Sequence, residues 1–160
     1  MQIKVVGHLD IQDTDIILSK KGLNDGGEVQ QYIDNQCIEL MKPYTPFDTG
    51  VLEKSLRNHT VIGSGELIQS TPYARYLYYG KLYVDPITLK GAFHDEKTGR
   101  FWSRPGVSKI PDPLGRSLEY NTSKHAMAGP YWFHRMKEDH KKDILQGCKE
   151  IVRRRSKWKM

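Results

Sequence analysis

The chain has 160 residues, 38% hydrophobic and 28% charged, with a net charge of +6 and a mean hydropathy of −0.64. That length fits one domain able to bury roughly two-thirds of its unfolded surface. The sequence holds no run of about 18 apolar residues, which excludes a membrane-spanning helix, and two cysteines make no disulfide framework.

Residues 1–24 open with a weak alternation over 3–8 and an apolar run over 16–18, which predict one or two short strands or an arm. The first residues, MQIKVVGHLDIQD, lack the apolar core of a secretory signal, so the chain is expected to stay in a cytosol. His8, Asp10, Asp13 and Asp15 resemble a cation cluster but lack the glycine and terminal glutamate of a calcium loop, and read as solvated polar residues. Residues 20–27 read as a loop.

The first clear helix is predicted over 25–41. Val29, Tyr32, Ile33, Cys37, Leu40 and Met41 recur at helical spacing, and Asp25 with Glu28 has the spacing of a capping box. Pro43 stops the helix. An extended elbow follows, and Asp48 or Thr49 is expected to cap a short helix holding Val51, Leu52, Ser55 and Leu56. Residues 59–62 and 66–70 around Gly63-Ser64-Gly65 read as a β-hairpin. Residues 73–79 then form a short helix closed by Gly80. Four tyrosines in that stretch cannot all face one core, which marks Tyr76, Tyr78 and Tyr79 as candidate interface residues.

Residues 81–128 are irregular and carry four prolines, with a second hairpin predicted from 92–94 and 100–102 around the turn 95–99. His94, Asp95 and Glu96 are read as turn residues. The last element is a long helix opened by Gly129 and Pro130 and reaching about Arg155, its apolar face marked by Phe133, Met136, His140, Ile144, Cys148, Ile151 and Val152. It would be about 39 Å long, so its basic end is expected to protrude. Gly147 inside it costs about 1 kcal/mol against alanine, which suggests close packing against a neighbour. Cys37 and Cys148 both fall on apolar helix faces and read as core residues.

From Tyr131 onward there are ten Lys/Arg against four Asp/Glu, so the whole charge surplus sits at the C-terminus. Arg153, Arg154, Arg155, Lys157 and Lys159, interleaved with Trp158, could contact a polyanion without reading its sequence. No nucleophile elbow, phosphate loop or dinucleotide fingerprint is present. His134 and His140 lie six apart, which does not match the four-residue spacing of a helical zinc pair. The chemistry therefore points to no enzyme, no metal and no cofactor.

Three segments, PYTPFDTGVLEKS, TPYARYLYYG and AGPYWFHRM, follow one another along the chain. In that order they closely resemble the minor capsid proteins of tailed bacteriophages, in the neck or tail-completion group of the head–tail connector. The resemblance covers about residues 25–150, and residues 81–124 have no counterpart in its pattern. It implies an α+β fold with two main helices packed on a small antiparallel sheet, and a long basic C-terminal helix. It also implies a non-enzymatic subunit that forms a homo-oligomeric ring at the head–tail junction, meets other junction or tail proteins, is assembled in the host bacterial cytoplasm and resides in the virion. Pro46, Asp48, Thr49, Gly50, Leu52 and Ser55 match the elbow motif. Tyr73, Ala74, Tyr76 and Gly80 match the second motif, and Gly129, Pro130, Trp132, Phe133, Arg135 and Met136 the third. All are expected to serve the fold. The other reading of the residues is a nucleic-acid-binding protein acting through its basic C-terminus.

Overall fold

A computed structural model describes residues 11–157, with side-chain surroundings from residue 16 onward. The fold is α+β. Five helices, α1 (Ile11–Lys21), α2 (Glu28–Met41), α3 (Val51–His59), α4 (Ala74–Tyr79) and α5 (Trp132–Lys157), accompany four short strands. The strands are β1 (Tyr83–Val84), β2 (Phe93–Asp95), β3 (Arg100–Trp102) and β4 (Ile110–Pro111). They form two separate antiparallel ribbons, β1–β4 and β2–β3, rather than one sheet. No described helix is long and apolar enough to cross a membrane.

The two main helices, α2 and α5, pack on each other along their apolar stripes. Cys37, Ile38 and Met41 from α2 meet Trp132 and Met136 from α5 in one core, with Tyr44, Leu52, Leu56 and Ala74. Gly147 lies against α2, and a Cβ built on it would overlap the Tyr32 ring. The close packing expected at this glycine is therefore made within the chain. Cys37 and Cys148 are free thiols that burial pushes above the usual range; Cys37 is a core residue as expected, while Cys148 is only half-buried at the edge.

Several expectations need correction. The run 16–18 lies in helix α1, which packs on α5, not in a strand. Lys20 and Lys21 sit in its last turn, where cations favour the helix dipole. Gly22 then closes it in the left-handed region, φ 71°, with the Leu23 N–H donating to the Leu18 carbonyl at 2.9 Å. The expected strand at 3–8 lies outside the described residues, as do His8 and Asp10. Helix α2 begins three residues later than predicted, with Gly27 at its N-cap instead of Asp25. Met41 ends it as expected, and Pro43 belongs to a 3-10 turn, Lys42–Tyr44.

The hairpin expected over 59–70 is absent. No ladder pairs its two arms: one turn bond joins the Ser64 N–H to the Val61 carbonyl at 3.1 Å, and other backbone N–H groups donate to side chains. The buried Asp34 carboxylate accepts the N–H groups of Gly63 at 2.7 Å and Gly65 at 3.2 Å, and Thr60 Oγ1 accepts that of Ile68 at 3.1 Å. The second predicted hairpin is present as β2–β3, pairing Phe93 with Trp102, His94 with Phe101 and Asp95 with Arg100. Asp95 shapes its turn, accepting from the Lys97 N–H at 3.0 Å and the Thr98 hydroxyl at 2.8 Å. Two ion pairs tie down the irregular stretch. Arg104 meets the buried Asp85 carboxylate through two bonds of 2.6 Å, and Arg116 holds Asp112 at 2.8 and 3.0 Å.

Candidate interaction surface

The three motifs, far apart in sequence, meet in space. The Gly129 N–H donates to the Tyr44 carbonyl at 3.3 Å, joining the third motif to the elbow. The Tyr131 N–H donates to the Tyr78 carbonyl at 2.8 Å, joining it to the second. Gly80 takes the left-handed C-cap of α4, φ 66°, and a Cβ there would sit 3.3 Å from the Pro130 ring. Trp132 is 1% exposed, and its indole N–H donates to Gln69 Oε1 at 2.9 Å. Leu52, Ala74 and Met136 are buried beside it, and Phe133 packs on their edge. Ser55, also buried, donates its hydroxyl to the Leu52 carbonyl at 2.9 Å. The Arg135 guanidinium lies 5.6 Å from the centre of the Tyr44 ring. Pro130 does not open α5 as expected. The helix starts at Trp132, and Tyr131 makes the turn with a strained positive φ of 51°.

Tyr44 is buried under α5. Its hydroxyl donates to Asp139 Oδ2 at 2.6 Å and lies 3.2 Å from His140 Nε2. Burial first, then the Asp139 carboxylate, push the phenol up to about 12. His140 is thus a packed histidine, as its place on the apolar stripe suggested. His134 pairs with the Tyr78 hydroxyl at 2.6 Å.

The elbow motif has a second face. Neither Asp48 nor Thr49 caps α3, contrary to expectation. Gly50 holds the N-cap position at φ 79°, with no side-chain cap bond. A Cβ at Gly50 would fall 3.1 Å from the Phe47 ring, so this tight turn requires glycine twice over. Asp48 and Thr49 stay exposed and, with Pro46, Gly50 and Leu52, line an open cavity of about 370 Å³. Tyr73, Leu77, Glu119 and Tyr120 complete its walls. Phe47 is held in place by His125, ring centres 5.1 Å apart, and by the Lys124 ammonium 3.8 Å above its ring. A second cavity, about 400 Å³, lies between α2 and the 65–69 loop, with Asp34, Gln69 and Trp132 in its lining.

The candidate interface tyrosines divide. Tyr76 and Tyr79 are 45% and 47% exposed. Tyr78 is not available in the same way. Its ring sits edge-on to Trp132 at 4.7 Å and to Tyr131 at 5.6 Å, and burial raises its phenol. Residues overlooked in the sequence extend the exposed aromatic surface: Phe101 is 74% and Trp102 50% exposed on the β2–β3 ribbon. Both stood in plain view as strand residues; what the sequence could not supply was that, among the described residues, they keep half or more of their surface exposed.

The basic end of α5 does not protrude as a bare arm. Arg154 and Arg155 both pair with Glu28 at the start of α2, and Arg155 Nε donates to the Lys20 carbonyl at 3.2 Å. Hydrogen bonding from Arg155, with the charge of Arg154, holds the Glu28 carboxyl below its ordinary range. Ile151 is buried in the same turn. Of the candidate polyanion contacts, Arg153, Lys157 and the ion-paired Arg154 are exposed, Arg155 is half-buried, and Lys159 lies outside the described residues. Among the described residues, no group of three or more His, Cys, Asp or Glu could hold a metal ion. Compared with protein-family models, curated proteins and solved structures, the chain matches none of them.

Proposed function

We propose that the chain is a non-enzymatic structural subunit of a tailed-bacteriophage virion. It would be a minor capsid, neck or tail-completion protein, assembled in the host bacterial cytoplasm as a ring at the head–tail junction. One observation carries this reading: the three motifs of the resemblance pack as a single unit. Tyr44, Leu52, Ala74, Trp132 and Met136 share one core, and two backbone hydrogen bonds stitch the segments together. The exposed aromatics around that unit, Tyr73, Tyr76 and Tyr79, suit subunit contacts better than solvent. Mass spectrometry of purified particles tests the reading. The protein should be present in several copies per virion, and its absence from particles would overturn the proposal.

A further inference from the structure

We infer that the elbow cavity receives the β2–β3 ribbon of a second copy of this chain, head to tail. The inference rests on the ring reading above and names the contact that would build the ring.

On one side is a pocket with a polar mouth that the fold itself does not use. Asp48 and Thr49 cap no helix, yet both are exposed at a cavity of about 370 Å³ whose inner wall includes Leu52 and Leu77. Glu119 shares the lining with Asp48, and these two acids outnumber the one nearby cation, Lys124, which lies over the lining Phe47 ring. On the other side is a ribbon of three residues per strand that leaves two large rings in water. An isolated two-stranded ribbon is marginal on its own, and rings this exposed leave much of their apolar area without cover.

The rings are already ordered. Phe93 stacks on Trp102 with centres 4.6 Å apart, and His94 lies 4.7 Å from Phe101. Docking them would therefore cost little side-chain entropy. The charges also match. Lys90, Lys97, Arg100 and Lys109 flank the ribbon and outnumber Asp95 and Glu96, with Lys90 over the Phe93 ring and Lys109 donating to the Gly91 carbonyl. A basic aromatic tip thus faces an acidic apolar mouth. No ribbon residue lines the cavity of its own chain. The two surfaces are different parts of one molecule, so their contact is heterologous. Such contacts propagate into closed rings or open filaments, not symmetric dimers.

The test uses the full chain. Phe101→Ser with Trp102→Ser should weaken self-association, measured by sedimentation velocity, by at least about tenfold. The global melting temperature should stay near that of the wild type, since both rings are largely exposed, and hydrogen exchange over residues 93–102 should show the ribbon retained despite the loss of its cross-strand ring pairs. Arg100→Glu should weaken association, and adding Asp48→Arg to the same chain should restore it. With Cys148→Ala in every chain to remove the half-buried native thiol, Asp48→Cys combined with Phe101→Cys should give a ladder of covalent oligomers under oxidation, while either change alone gives none. If the wild type is monomeric in solution, the same cysteine pair is scored in purified particles. Oligomers that form normally in every variant, with no ladder, would overturn this contact and leave the ring reading standing. Absence of the chain from particles would remove the ring reading itself. Cross-linked dimers from either single cysteine would overturn the head-to-tail geometry.

Discussion

At the scale of single residues, Asp34 does work that composition concealed. It sits on α2 between apolar positions, is 2% exposed, and replaces a β-ladder with two bonds to the glycine loop and a third from Gln30 Nε2 at 2.7 Å. Replacing it by alanine leaves the Gly63 and Gly65 N–H groups without their acceptor. Such a loss costs about 1–3 kcal/mol. Asp34→Ala should therefore lower the midpoint of chemical denaturation, with loss of protection from hydrogen exchange over residues 60–70. The hairpin misreading has the same origin. A Gly-Ser-Gly turn between two apolar runs predicts a hairpin, and nothing local announces a carboxylate some thirty residues away. The caps fared similarly. Asp25, Asp48 and Thr49 have the right chemistry, but glycines that permit tighter turns took the N-cap positions.

At the scale of elements, helix periodicity was the legible part. Helices α2, α3, α4 and α5 and the β2–β3 ribbon all follow from apolar spacing and glycine or proline punctuation. The β1–β4 ribbon was not legible, because two-residue strands separated by 25 residues carry no local pattern, and Pro111 argues against a strand. Ion pairs help hold that region. The Arg104 guanidinium, with backbone N–H groups of Thr88 and Ile87, keeps the Asp85 carboxyl well below its ordinary range, and Arg116 draws Asp112 down to about 2. Both acids bind protons less tightly in the folded chain than in the unfolded one. Their contribution is thus full above about pH 4 and is lost as pH falls through the folded values. Acid melts followed by circular dichroism should show stability dropping in that window. Asp85→Asn should be less stable at pH 7 and show a shallower acid slope. The packing of α2 on α5 gives a sharper test. Helix propensity alone makes Gly147→Ala stabilising by about 1 kcal/mol. The overlap with Tyr32 reverses the sign, and overpacking of this kind costs about 1–3 kcal/mol. Gly147→Ala should therefore lower the melting temperature, and Tyr32→Leu in the same chain should recover part of the loss.

At the scale of the whole molecule, the charge asymmetry was plain in the sequence but its disposition was not. The surplus lies in the last thirty residues, yet Glu28 draws two of its arginines back onto the body. Glu28→Gln should free them and strengthen retention on an anionic resin, with a steeper dependence on salt. Unchanged retention would mean that the pairing does not limit the basic end. The candidate site was half legible. The elbow motif was identified by its residues, but its open cavity depends on Tyr73 and Glu119, brought in from elsewhere.

The glycine facing Tyr32 has a consequence beyond stability. It is the only glycine in α5, and one turn of helix in either direction would bring Asp143, Ile144, Glu150 or Ile151 to the same ring. This glycine therefore favours the observed register of the two main helices. A one-turn slip of α2 against α5 would therefore carry a steric cost at Tyr32, and the two helices are expected to move together. Motion would fall to the ribbons and loops between α4 and α5, the stretch for which the motif pattern has no counterpart.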